Sequence, residues 1–340
     1  MLLILSSFMT ADAFNLHTSE EFRNGSKMLI DASPHVCHAN DALVIMVKSA
    51  VSEFKKRSVV RATWGKLALV EYNITTVFVV ARSHNHSVMQ QALAESNQHL
   101  DLLMADFIDH YYKLTVKSVS ALTWFIEKCK VRNIAYVDDD IVLNPKNLLE
   151  FLKSEKELPR GVYCQVVPKV KSLYKFPDSK FYVPKEIISE KTVFTSCTGP
   201  GVLMSRSTAR ELVATAIREE TYTKLWLEDV FLYGVVSKII SMPLIDEPQI
   251  RGWKSFDEQL DCFNDLFESS IIRGEFSDDS LLRLWNKDAA RETAGCRPFY
   301  TRNRWILLWM SCLTAAALAA ILSFATKLAR REKRNSQTTH

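Results

Sequence analysis

Two acidic clusters carry the most chemistry in this sequence. The first is Asp138-Asp139-Asp140, which follows the apolar run Ile134-Ala-Tyr-Val137 and precedes Ile141-Val-Leu143. Three adjacent carboxylates repel one another, and a divalent cation relieves that repulsion by reversing the local field. Hard oxygen donors suit Mg2+ or Mn2+, whose remaining positions phosphate oxygens and water fill. A solvated acidic turn is the plainer alternative. The second cluster is Glu228-Asp229, inside Leu225-Trp-Leu-Glu-Asp-Val-Phe231. Its apolar neighbours predict partial burial, which raises a carboxylate pKa and suits the group to accept a proton. The alternative is an ordinary first helical turn, where acidic residues complement the helix dipole.

These residues need elements to hold them. Apolar, β-branched runs predict strands at 42–47, 75–81, 100–105, 133–137, 161–167 and 201–205. Between them, helical spacing predicts helices over 52–64 (with Ser52 as N-cap), 87–98, 112–129, 207–220 and 228–240. Asn144 and Pro145 read as N-cap and first residue of a further helix. Strand and helix alternate, so the expected fold is α/β with a mostly parallel sheet flanked by helices. In such sheets ligands bind beyond the carboxyl ends of the strands, which is where the Asp triplet stands.

The chain has 340 residues, a net charge of +4 and 47% apolar residues. Those values fit a globular protein and offer no case for a nucleic-acid partner. Residues 305–326 form an uncharged, 22-residue run. As a helix it would be about 33 Å long, enough to cross a bilayer; a buried core helix is the alternative. Trp305 and Trp309 stand at one end, and Lys327, Arg330, Arg331, Lys333 and Arg334 follow the other. The basic side is expected in the cytosol, which puts the preceding residues in a lumen or outside the cell. The expected organisation is a signal peptide at 1–13, a stem at 14–40, a lumenal domain at 41–300, a transmembrane helix at 305–326 and a basic cytosolic tail at 327–340. Sequons at Asn24, Asn73 and Asn85 lie on the lumenal side. So do Cys37, Cys129, Cys164, Cys197, Cys262 and Cys296, an even number that permits three disulfides in any of 15 pairings. Nothing beside Cys197 would lower its pKa, so a structural role is expected for it.

Several blocks, in order, resemble the β-1,3-galactosyltransferase group, glycosyltransferase family 31. "KKRSVVRATWGK" carries Arg57, Arg61, Trp64 and Gly65. "ADFIDHYYKLTVKS" carries Asp106, Phe107, Asp109, Tyr111, Leu114, Thr115 and Lys117. "YVDDDIVLN" matches the DxD block, "SKFYVPKE" a weaker aromatic segment, and "EDVFLYG" the Glu-Asp-Val block. The likeness spans about residues 41–240. It implies a GT-A fold and inverting transfer of a hexose, galactose in the first instance, from a UDP-sugar to a glycan hydroxyl, giving a β-1,3 linkage. It implies that Asp138 and Asp140 hold the Mn2+ or Mg2+ ion, with Asp140 the direct ligand, and that Asp229 is the base. Arg57, Arg61, Trp64, Lys117 and Asp139 are implied on the nucleotide-sugar side, and Glu228, Gly199 and Gly201 on the acceptor side. The implied setting is the Golgi membrane, with a glycoprotein or glycolipid as acceptor.

The chain departs from the family pattern in three places. No histidine follows His110 until His340, although such enzymes often place a metal-binding histidine after the Glu-Asp-Val block. The aromatic acceptor run is reduced to "VFTSCTGPGV", and the anchor lies at the C-terminal side. Transfer of N-acetylglucosamine, a catalytically silent homologue that binds UDP-sugar or glycan, and a metal-dependent phosphohydrolase are the alternatives.

Overall fold

The computed structural model describes residues 27–32, 36–37, 43–153, 157–168, 181–184, 186–188, 195–219, 225–252, 267, 270–274 and 277–287. All of them belong to the unit Met1–Arg291. The expected signal peptide, transmembrane helix and tail, Asn24, Cys262 and Cys296 lie outside the described residues. No helix among the described residues is long and apolar enough to cross a membrane.

The apolar runs become strands: β1 Met28–Ile30, β2 Leu43–Lys48, β3 Thr75–Arg82, β4 Leu102–Ile108, β5 Asn133–Asp138, β6 Val142–Leu143, β7 Val162–Val167, β8 Ser196–Ser205, β9 Leu244–Asp246, β10 Ile250–Arg251 and β11 Ile272–Arg273. The main sheet has the order β1-β4-β3-β2-β5-β8-β7-β9, and β10-β11-β6 form a small second sheet. β4, β3, β2 and β5 run parallel. β8 then joins β5 antiparallel, β7 joins β8 antiparallel, and β1 joins β4 antiparallel. The sheet is therefore mixed, which corrects the expectation of a mostly parallel one.

Side chains of β2 alternate between the two faces. Val44 and Met46 join the core on one side, and Leu43, Ile45 and Val47 join the other. Helices α4 (Leu114–Lys128), α6 (Arg206–Arg218) and α7 (residues 228–239) cover the first face. Helix α7 consists of an α turn Glu228–Val230, a π segment Phe231–Val236 and an α turn Ser237–Ile239. Helices α1 (Phe54–Ala62), α2 (Trp64–Tyr72), α3 (His86–His99) and α5 (Pro145–Leu152) cover the second face. A last helix, α8, spans Asp278–Lys287.

Three local expectations change. The helix expected over 52–64 is α1, Phe54–Ala62, with no side-chain cap from Ser52, and a second helix, α2, that the sequence reading did not include follows after a break at Thr63. Gly65 permits the break, because a Cβ there would stand 2.7 Å from the Val60 carbonyl oxygen. Part of the expected stem folds onto the domain. β1 extends the sheet, Asp31 accepts a hydrogen bond from Trp124 Nε1 at 2.8 Å, and Cys37 is disulfide-bonded to Cys129. By contrast, Asn144 caps α5 as read from sequence, its Oδ1 accepting from the backbone N–H groups of Lys146 and Asn147 at 3.0 and 3.2 Å.

Candidate active site at the β2–β5 switch

Chain order reverses direction between β2 and β5. From β2 the chain steps to β3 and β4 on one side, then returns to place β5 on the other. Ligands of open α/β sheets bind beyond the carboxyl ends of the strands at such a reversal. The last residues of the two strands, Lys48 and Asp138, are direct register partners. Both acidic clusters meet here. Lys48 Nζ lies 2.7 Å from Asp138 Oδ1 and also donates to Glu228 Oε1. It further sits over the Tyr136 ring, 5.4 Å from the centroid. Lys56 Nζ from α1 reaches Asp139 at 3.1 Å. The two clusters, 90 residues apart in the chain, thus belong to one site.

The site carries more negative charge than its lysines offset. Asp138 keeps 39% of its side-chain surface open to solvent, yet burial lifts its pKa to about 6. Lys48 opposes that shift, while Glu228 and Asp140 add to it. Burial also raises the Asp140 pKa, against Lys56 and together with Asp139. Asp229 is pushed up to about 7, first by burial and then by the Glu228 carboxylate; its own contact to the Val230 N–H opposes the shift. Burial alone would lower the Lys48 pKa, but Asp138 and Glu228 outweigh it and hold the ammonium charged. Ser196 Oγ donates to the Asp229 carbonyl oxygen at 2.7 Å and ties the turn Glu228–Val230 to β8.

No group of three His, Cys, Asp or Glu side chains converges on one point among the described residues. The donor set nevertheless fits a hard divalent cation. Asp138 and Asp140 are oxygen donors, partly open, and both are lifted in pKa first by burial, with neighbouring carboxylates adding to the shift.

The residues implied on the nucleotide-sugar side are mostly internal supports. Arg57 is fully buried. Its guanidinium donates to Glu95 (2.8 and 2.7 Å), Ser49 Oγ (3.1 Å) and the carbonyls of Ala50 (2.6 Å) and Val51 (3.0 Å). Arg61 binds Asp101 and the same Glu95. Lys117 is also buried, donating to the Ser49 carbonyl at 2.8 Å and pairing with Asp109 at 2.7 Å. Asp109 in turn accepts from the Val51 N–H at 3.0 Å. Arg57, Lys117 and Asp109, widely spaced in sequence, thus fix one loop, Ser49–Val51, directly after Lys48. Trp64 is buried and donates from Nε1 to the Ile141 carbonyl at 2.8 Å, just beyond the Asp triplet. In the structure the Arg57, Lys117 and Trp64 side chains hold protein atoms around the strand ends.

Gly199 and Gly201 lie on β8. Gly201 pairs with Val137, and a Cβ on it would stand 2.6 Å from Val137 Cγ1, so glycine lets β8 close against the end of β5. Cys197 is bonded to Cys164, in keeping with the structural role read from sequence. Asn73 and Asn85 are both exposed; Asn73 ends α2 and Asn85 caps α3. Sequence reading missed Lys48. Its position at the end of a predicted strand was visible, but only the fold brings it to the acidic clusters.

The Galactosyltransferase family model matches residues 55–248. Mouse UDP-GlcNAc:betaGal beta-1,3-N-acetylglucosaminyltransferase 7 is 31% identical over 234 residues, covering 66% of this chain and 56% of that protein. Mouse beta-1,3-galactosyltransferase 1 is 25% identical over 266 residues, covering 77% of this chain and 79% of that protein. The match therefore spans little more than half the length of the first of these relatives. Among solved structures, the galactosyltransferase LgtC in complex with donor and acceptor sugar analogs gives a TM-score of 0.42 at 8% identity, over 76% of this chain and 99% of that one. That likeness is too remote to support an argument.

Proposed function

The chain belongs to the galactosyltransferase family, and from that premise we propose that it moves a hexose from a UDP-sugar to a glycan hydroxyl with inversion, forming a β-1,3 linkage. The observation that carries this reading is that the two acidic clusters meet at the strand ends, Lys48 bridging Asp138 of one and Glu228 of the other. Galactose is the first candidate sugar.

In the proposed reaction Asp138 and Asp140 would hold a Mn2+ or Mg2+ ion, which when bound supplies positive charge for the departing diphosphate. Asp229 takes the proton of the acceptor hydroxyl. A sugar hydroxyl has a high pKa, and a carboxylate lifted to about 7 is a stronger base than an ordinary one. The acceptor oxygen bonds to the anomeric carbon as the bond from that carbon to UDP breaks, and the electron pair leaves with UDP. One displacement turns an α-linked donor sugar into a β-linked product. Lys56, paired with Asp139 at the rim, adds a second cation close to the diphosphate end.

N-acetylglucosamine transfer is the second reading. It is favoured by the higher identity to the mouse relative named for that sugar, 31% against 25%. A silent, glycan-binding homologue is a third, motivated by the lack of a histidine between His110 and His340. We place the protein in the Golgi membrane with this domain lumenal. That placement draws on the run at 305–326, the sequons and the disulfides Cys37–Cys129 and Cys164–Cys197.

The test is a donor-by-acceptor screen of the full-length chain in detergent, with and without Mn2+. UDP-galactose turnover lost on chelation is expected. Turnover with UDP-N-acetylglucosamine alone selects the second reading. UDP binding without turnover on any acceptor selects the third.

A further inference from the structure

This inference rests on the reading above, in which Asp138 serves the donor diphosphate and Asp229 the acceptor. We propose that Lys48 is a positioning residue that couples the two ends of the site. Its ammonium holds the carboxylates of Asp138 and Glu228 together, and so sets where Asp229 faces the donor.

Four observations carry it. Lys48 is placed rigidly. Its backbone lies in register between Val79 of β3 and Asp138 of β5, and the next residue donates its N–H to the Val79 carbonyl at 3.0 Å. The loop that follows is held by Arg57, Lys117 and Asp109, so a cross-braced backbone aims this side chain. The lysine side chain is 13% exposed, and its two charged partners are one residue from each acidic cluster. Asp138 belongs to the cation pair, and Glu228 immediately precedes the base in the same helical turn, so a displaced Glu228 carries Asp229 with it. Finally, the charges do not match as they would in a plain structural pair. One ammonium serves two carboxylates, and each of those carboxylates is next to a further acidic residue in the chain.

The arrangement has an opposed consequence that structural support alone would lack. The ammonium and a divalent cation share Asp138, so Lys48 weakens cation binding while it aligns the base. Removing the ammonium should tighten cation binding and slow turnover together.

The experiment uses the full-length chain and Lys48→Met, which keeps the apolar stem and removes the charge. Mn2+ affinity is read by electron paramagnetic resonance without nucleotide, alongside transfer kinetics. Mn2+ binding roughly 10-fold tighter is expected from the loss of one nearby positive charge. A kcat lower by about 100-fold with donor KM changed less than ~3-fold is expected if alignment of the base is what is lost. Lys48→Arg, which can bridge two carboxylates, should recover most of the kcat. A folded Lys48→Met chain with wild-type kcat, or with unchanged or weaker Mn2+ affinity, overturns the proposal. Should that variant fail to fold, Lys48→Met with Glu228→Gln leaves one carboxylate fewer to offset. That pair must fold, bind Mn2+ more tightly than wild type and remain slow, and wild-type kcat in it overturns the proposal. Absence of transfer by the wild-type chain from every UDP-hexose would overturn the glycosyltransferase reading, while the Mn2+ titration still judges the link between Lys48 and Asp138.

Discussion

The loop Ser49–Val51 and the acidic crevice are neighbours along β2, yet their electrostatics are opposite. Around the loop Arg57, Arg61 and Lys117 are paired with Glu95, Asp101 and Asp109. Burial alone would raise the Glu95 pKa, but the guanidiniums of Arg57 and Arg61 outweigh it and hold the carboxyl below its ordinary range. In the crevice burial wins: Asp138 rises to about 6 and Asp229 to about 7. One region is complete without a ligand. The other carries negative charge that a cation would offset. Perturbed pKa values gather where chemistry is done, and here they separate the crevice from its support.

The sharpest way to break this contrast is Asp229→Asn. Transfer should fall by about 10^2 to 10^4-fold, the range for losing a positioned base. Thermal unfolding at pH 8 should move to higher temperature. The sign follows from linkage: a carboxyl whose folded pKa is raised makes the folded state lose stability as pH climbs from the ordinary carboxylate range to about 7. The amide removes that loss. Unchanged turnover would exclude Asp229 as the base.

Arg57→Met tests the other side. It leaves Glu95 with one of its two cations and strips the donors from the Ala50 and Val51 carbonyls. Breaking a buried pair from one side costs about 3–5 kcal/mol, read as a lower urea midpoint. An unaltered midpoint would mean that the loop holds without its guanidinium.

The pH profile of the native chain gives a smaller effect. In the proposed reaction Asp229 must be ionised, so kcat/KM should be full above about pH 7 and fall as pH drops below it. Glu228 and Asp138 push that limb up and Lys48 pulls it down; a bound cation would pull it down further. An acid limb near pH 4 in metal-free binding or exchange measurements would remove the basis of the contrast. The smallest change expected is for Trp64→Phe. It leaves the Ile141 carbonyl without its indole donor, at about 1–3 kcal/mol for a buried unpaired group. Because that carbonyl follows the Asp triplet, donor KM should rise modestly as well.

Much of the scaffold was legible because it depends on local periodicity. The apolar run before the triplet is β5, the spacing over 112–129 is α4, and Asn144-Pro145 opens α5. What failed did so for non-local reasons. Strand direction after β5 depends on how the chain returns, and the period-2 pattern of β8 is the same in either direction. The break at Thr63 depends on close packing at Gly65. That Arg57 and Lys117 hold the Ser49–Val51 backbone was not legible either, because a motif position does not say which carbonyls its charge reaches.

By itself the sequence determined the clusters: which carboxylates are adjacent, which apolar runs must be buried, and which blocks follow one another. Those are properties of neighbours along the chain, set by side-chain period and covalent spacing. Only the tertiary structure decided that Asp138 and Glu228 share one ammonium, and that the arginine and lysine of the family blocks face inward. The reason is range. A charge acts across a few ångströms, and only the folded sheet brings residues 48, 138 and 228 within that distance.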